Sequence, residues 1–281
     1  MSTVGVVTDS TAYLPAQLAA EHRVLVVPLQ VVVDGTAYDE GTGVSPATLT
    51  DALRRHLPVS TSRPAPETVA AAYRRAVTEG AGQIVSVHRS GDMSGTVESA
   101  ALAAREAPVP VHVVDSRSMG MGLGYAVLAA AREAAGGASG AEVARVARRR
   151  AAAADVLFYV ESLDQLRRGG RIGAARALLG SALAVKPLLH LDDGRIAPLE
   201  KVRTASRAQA RLADIALERA GSGPVDVAVH HLDAPGPAAA LAARLREGLE
   251  SRLGELYVVE VGAVVGAHVG PGLLAVVLSP R

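Results

Sequence analysis

Two short polar patterns in this 281-residue chain are suited to hold a negative charge. The first is Met93-Ser94-Gly95-Thr96, which follows the apolar run Ile84–Val87 and opens a helix near Val97. The first N–H groups of a helix have no partner within it, and its dipole favours an anion there. Gly95 lets a ligand approach the backbone, and Ser94 and Thr96 add short hydroxyl arms. The expected ligand is the carboxylate of an otherwise apolar small molecule. The structural alternative is that Ser94 caps its own helix. The second pattern is Ser60-Thr61-Ser62-Arg63-Pro64-Ala65-Pro66. Three hydroxyls before two prolines make a stiff polar loop at a helix start, either plain punctuation or a second anion-facing loop.

Other reactive side chains fall at glycine-rich or strand-end positions. His268 lies within Gly266–Gly272, and its two ring nitrogens can donate to an anion and be held by a neighbour. Asp9 and Asp115 end apolar runs, where a carboxylate is expected to accept loop N–H bonds. Ser94, His268 and Asp115 supply the residue types of an acyl-ester hydrolase, but types alone do not make a triad. The Gly-x-Ser-x-Gly elbow is absent, because Asp92 and Thr96 stand in the outer positions around Ser94. A sugar- or phosphosugar-binding module is a further rival. The eight histidines show no ligand spacing such as His-Glu-x-x-His, so no metal is expected.

The elements that position these groups alternate. Apolar strands at Val4–Thr8, Val24–Val33, Ile84–Val87 and Val111–Val114 are interleaved with helices, including one at Tyr125–Ala135 behind Gly120, Gly122 and Gly124. That order predicts a three-layer α/β/α domain with a mainly parallel sheet over 1–155. In such sheets ligands collect outside the carboxyl ends of the strands. From 156 to 281 the pattern changes. Ser162-Leu163-Asp164-Gln165 reads as a capping box before a short helix that stops at Gly169-Gly170, and Arg171-Ile172-Gly173 starts another. Asp192-Asp193-Gly194 turns a hairpin, which predicts an α+β domain with a mixed sheet.

Composition narrows the class of function. A net charge of +1 gives no reason to expect nucleic acid or an anionic membrane. With no cysteine, thiolate chemistry and disulfides are excluded. One Phe, six Tyr and no Trp make a base-stacking platform improbable. The start lacks the charged and apolar regions of a secretory signal, and no apolar run reaches the roughly 18–20 residues that span a bilayer. A cytoplasmic location is expected.

Taken in order, the turns resemble the DegV family of bacterial fatty-acid-binding proteins. The matching segments are Thr8-Asp9-Ser10-Thr11, Thr61-Ser62-Arg63-Pro64, Ser94-Gly95-Thr96 and Asp115-Ser116, then Leu166-Arg167-Arg168-Gly169-Gly170-Arg171-Ile172, Lys186-Pro187, Lys201-Val202-Arg203 and His268-Val269-Gly270-Pro271-Gly272. Each is weak alone; the ordered set is specific. The resemblance implies a long-chain fatty acid buried between two domains, with no other cofactor. It also implies an acyl carrier that does no chemistry itself and presents the carboxylate to an ATP-dependent fatty acid kinase, whose acyl phosphate feeds phospholipid synthesis. On that reading Thr61, Ser62, Ser94, Gly95, Thr96 and His268 hold the acid, and Arg171 and Arg203 face the phosphorylated product or the kinase. Ala65 stands where the family often has Ser, which should weaken the next helix start by about 1 kcal/mol.

Overall fold

The computed structural model describes residues 3–178 and 185–281. They form two compact units: Met1–Gln30 with Ser62–Ala153, and Val31–Thr61 with Ala154–Arg281. This differs from a division into 1–155 and 156–281. The stretch Val31–Thr61, expected in the N-terminal domain, packs with the C-terminal one. The expected strand Val24–Val33 breaks in two at Pro28-Leu29, and the chain leaves the first sheet there.

Along the chain the elements are β1 (Val4–Asp9), α1 (Ala16–Glu21), β2 (Val24–Val27), β3 (Gln30–Val33), β4 (Thr36–Asp39), α2 (Pro46–Arg54), β5 (Val59–Ser62), α3 (Pro66–Thr78), β6 (Gln83–His88), α4 (Thr96–Ala104), β7 (Val111–Asp115), α5 (Met121–Ala135) and α6 (Gly140–Ala153). In the first unit four parallel strands run in the order β2-β1-β6-β7. Side chains alternate across these strands. Val6 and Val85 pack with Leu123 and Val127 of α5 and Val143 of α6 on one face. Val7 and Ile84 pack with Val69 and Tyr73 of α3 and Ala100 of α4 on the other. The result is the expected three-layer, doubly wound arrangement. The strand order reverses between β1 and β6, so their carboxyl ends make the crevice where such sheets bind ligands.

The second unit continues with β8 (Asp155–Tyr159), α7 (Asp164–Arg168), β9 (Lys186–Asp192), β10 (Arg195–Val202), α8 (Ala205–Arg219), β11 (Val225–His231), α9 (Pro235–Leu249), β12 (Leu253–Glu260), α10 (Ala263–Val269) and β13 (Leu274–Pro280). Its sheet is mixed, as expected, in the order β10-β9-β8-β13-β11-β12. Asp193 and Gly194, both at positive φ, turn the hairpin between β9 and β10. Helices α8 and α9 bury Leu212, Ile215, Leu241 and Leu245 against Leu157, Val227 and Val276 of that sheet. A separate three-stranded sheet, β4-β3-β5, turns at Asp34-Gly35 with φ of 48° and 79°.

Four local expectations change. His268 lies on a helix, α10, rather than in a glycine loop. The Ser162 hydroxyl accepts from Asp164 N–H at 3.0 Å, a tight turn in place of a capping box, and α7 starts at Asp164 without a side-chain cap. The helix expected from Arg171 is a 3-10 turn over Gly173–Leu178, and its continuation through 179–184 lies outside the described residues. Helix α9, expected over Pro237–Leu253 from its apolar period, ends at Leu249, where Glu250 takes a positive φ of 49°.

Candidate functional site

In the second unit the sequence-distant pair Thr61 and His268 meets. Thr61 Oγ1 and His268 Nε2 are hydrogen-bonded at 2.8 Å, across 207 residues of chain. Strand β5 delivers Thr61 at its penultimate residue, and α10, buried along its whole length, delivers His268. His268 is 8% exposed. Its other nitrogen, Nδ1, sits against Gly169, where a Cβ would overlap the ring.

That glycine belongs to a helix stop that the sequence spells out. After α7, Gly170 takes the left-handed conformation at φ 69°. Gly170 N–H donates to Arg167 O at 3.1 Å and Arg171 N–H to Leu166 O at 2.9 Å, the paired bonds of a Schellman cap. The Arg171 guanidinium donates back to Gly169 O at 2.6 Å, which fixes the turn that abuts His268. Thr61, His268, Gly169, Gln165, Arg168 and Arg171 line a cavity of about 370 Å³, with Leu53, Leu57 and Ala267 among its apolar walls. That volume lies at the low end of small-molecule pockets. A hydroxyl, an imidazole and two guanidinium groups around apolar walls suit an acid on an apolar body. Arg203 is exposed in the turn between β10 and α8 and does not line this cavity.

In the first unit the hydroxyl turn forms, but its parts serve one another. Ser94 Oγ and Thr96 Oγ1 are hydrogen-bonded at 2.9 Å, and α4 starts at Thr96 with no side-chain cap. Ser94 therefore does not cap its own helix, and the first N–H groups of α4 keep their anion-binding character. The space that Gly95 opens is filled by Arg63 from the other hydroxyl-rich segment. A Cβ there would lie 2.5 Å from Nη1 and 2.8 Å from Cδ of Arg63, whose guanidinium pairs with Glu98 at 2.8 Å. Ser62 immediately precedes Arg63 and ends β5. As expected from Ala65, α3 also starts without a side-chain cap.

Asp9 and Asp115 accept loop N–H bonds, as expected of strand-end carboxylates. Asp115 takes Gly91 N–H at 3.2 Å and Arg117 N–H at 2.8 Å. Asp9 takes Thr11 N–H at 3.1 Å and Arg89 N–H at 3.0 Å. Asp9 also anchors a chain that the sequence reading missed. Its Oδ2 bonds His88 Nδ1 at 3.1 Å, His88 Nε2 bonds Ser86 Oγ at 2.7 Å, and Tyr73 donates to Ser86 at 2.9 Å. The alternation Ser86-x-His88 on a strand next to β1 was the available signal. An Asp-His-Ser order invites a catalytic reading, yet all three residues are 0% exposed, so no ester can reach Ser86. Burial is the largest single influence and disfavours the Asp9 charge, but the bond and charge of His88, the Thr11 bond and the Arg89 charge together outweigh it and hold the carboxyl below its usual range. Burial pushes the Tyr73 hydroxyl up to about 12, partly offset by Ser86.

Among the described residues no helix is long and apolar enough to cross a membrane. A model of the family described as uncharacterised proteins, DegV family, matches residues 3–281. A DegV domain-containing protein of Streptomyces coelicolor is 58% identical, with 99% of each chain aligned. A Thermus thermophilus DegV family protein described as fatty acid binding superposes with a TM-score of 0.92 at 34% identity, covering 99% of this chain and 100% of that one. DegV of Bacillus subtilis, described as a fatty acid binding protein, gives 0.91 at 31% identity, with both chains fully covered. Matched along nearly its whole length in sequence and in fold, the chain belongs to the DegV family.

Proposed function

We propose that this protein binds a long-chain fatty acid and presents its carboxylate to an ATP-dependent fatty acid kinase, which makes the acyl phosphate. The observation that carries the reading is the part-buried Thr61–His268 pair at the wall of a cavity that also holds Arg168 and Arg171. Each buried methylene of the tail contributes about 0.8 kcal/mol, so the tail supplies most of the affinity and the head supplies orientation. A hydroxyl and an imidazole hold an acid without the bidentate clamp of an arginine, which leaves the head accessible to a second protein. Thr61 and His268 are the second unit's headgroup ligands in this reading; Ser62, Ser94, Gly95 and Thr96 are the first unit's. Arg171 and the exposed Arg203 are assigned to the phosphorylated product or the kinase. Relatives described as fatty acid binding support the ligand class, and the family resemblance supports the kinase.

Native mass spectrometry of the purified protein tests this directly. A non-covalent adduct of fatty-acid mass, or stoichiometric uptake of oleate or palmitate, is the expected result. Protein that emerges clean and ignores both acids would end the reading. The double variant T61A/S94A should lose kinase-dependent acyl phosphate formation far more than thermal stability.

A further inference from the structure

The stretch Val31–Thr61 grips the histidine helix at three places. Thr61 meets His268 near the helix end. Leu49 of α2, fully buried, lies against Gly266, where a Cβ would come 2.5 Å from its Cδ2. The third contact is Glu40, just after β4. It is 6% exposed, an unusual place for an acidic side chain. Its Oε1 accepts the N–H of Val264 at 2.8 Å in the first turn of α10. A Cβ on Gly262, the residue before the helix, would overlap that same oxygen. Gly262 is thus the gap that admits Glu40, as Gly266 is the gap that admits Leu49. A helix of seven residues has few hydrogen bonds of its own, so its rotation and axial position follow from what holds it.

We propose that Glu40 is a positioning residue for the fatty-acid headgroup: by holding the first turn of α10 it sets how His268 meets Thr61. It touches no ligand itself. The inference rests on the reading that the Thr61–His268 pair holds the carboxylate.

Two readouts test it. In ligand-free protein, the imidazole NMR signals of His268 should move in E40A and in G262A, whose methyl displaces the same oxygen. In E40Q, which keeps an acceptor of equal reach, they should stay near the wild-type positions. For oleate, E40A and H268A should each weaken binding about tenfold, the scale of one strong hydrogen bond. E40A/H268A should be no weaker than H268A alone. If E40A does not fold, G262A and E40Q carry the comparison. Unmoved His268 signals in G262A, or additive losses in the double variant, would overturn the proposal. An H268A protein that binds oleate normally, with His268 signals still shifted in E40A, would instead sink the headgroup reading.

Discussion

His230, buried in β11, is a histidine that folding keeps neutral. Burial pushes its pKa down to about 4, the Val259 carbonyl bonded to Nδ1 at 3.2 Å opposes the shift, and the neighbouring His231 adds to it. Above pH 6.5 both folded and unfolded chains carry it neutral, so it has no effect on stability there. Between about pH 6.5 and 4 the unfolded chain binds a proton that the native state refuses, and stability falls as pH falls, by about 3 kcal/mol in all. Denaturant melts of H230N should show a flatter acid limb across that window; an unchanged slope would refute the assignment. Asp9 acts lower on the scale. Its depressed carboxyl contributes stability that is present above 3.8 and lost as pH falls through the folded value. At this scale the strand-end acids were legible because each closes an apolar run and accepts the N–H two residues on, Thr11 for Asp9 and Arg117 for Asp115; the distant N–H groups of Arg89 and Gly91 were not. The reason for Gly95 was not, because Arg63 reaches it from a distant helix start.

The Gly169-Gly170-Arg171 turn divides two tasks between adjacent glycines. Gly170 needs the left-handed conformation, and an alanine there should cost about 1 kcal/mol while leaving His268 in place. Gly169 needs no special φ, but a methyl on it strikes the imidazole. G169A should therefore lose roughly 1–3 kcal/mol by overcrowding and shift the His268 signals. Thermal melts alongside NMR check the contrast; equal behaviour of the two variants would refute it. Most elements were legible because their apolar periods and turn residues agree, as at Asp34-Gly35 and Asp193-Gly194. Helix α10 was not. Two glycines within five residues read as loop, and contacts that include Glu40 and Leu49, more than two hundred residues upstream, hold them in a helix.

For the whole molecule, both sheet classes could be read from the order of strands, helices and hairpins. The membership of Val31–Thr61 could not, because local pattern does not say which sheet an excursion joins. This bears on fragments. Residues 154–281 alone leave α10 without Leu49 and Glu40, and should bind a hydrophobic dye and melt without cooperativity. Supplying 31–61 ahead of them through a flexible linker should restore a sharp transition; failure to do so would count against this division. The same excursion sets a timetable during synthesis. At about 5–20 residues per second, roughly 11 to 45 seconds separate the emergence of Glu40 from that of Val264, its bond partner 224 positions on. Throughout that interval Leu49 waits on the nascent chain without the helix that will bury it, while the strands and helices of the first unit can already assemble.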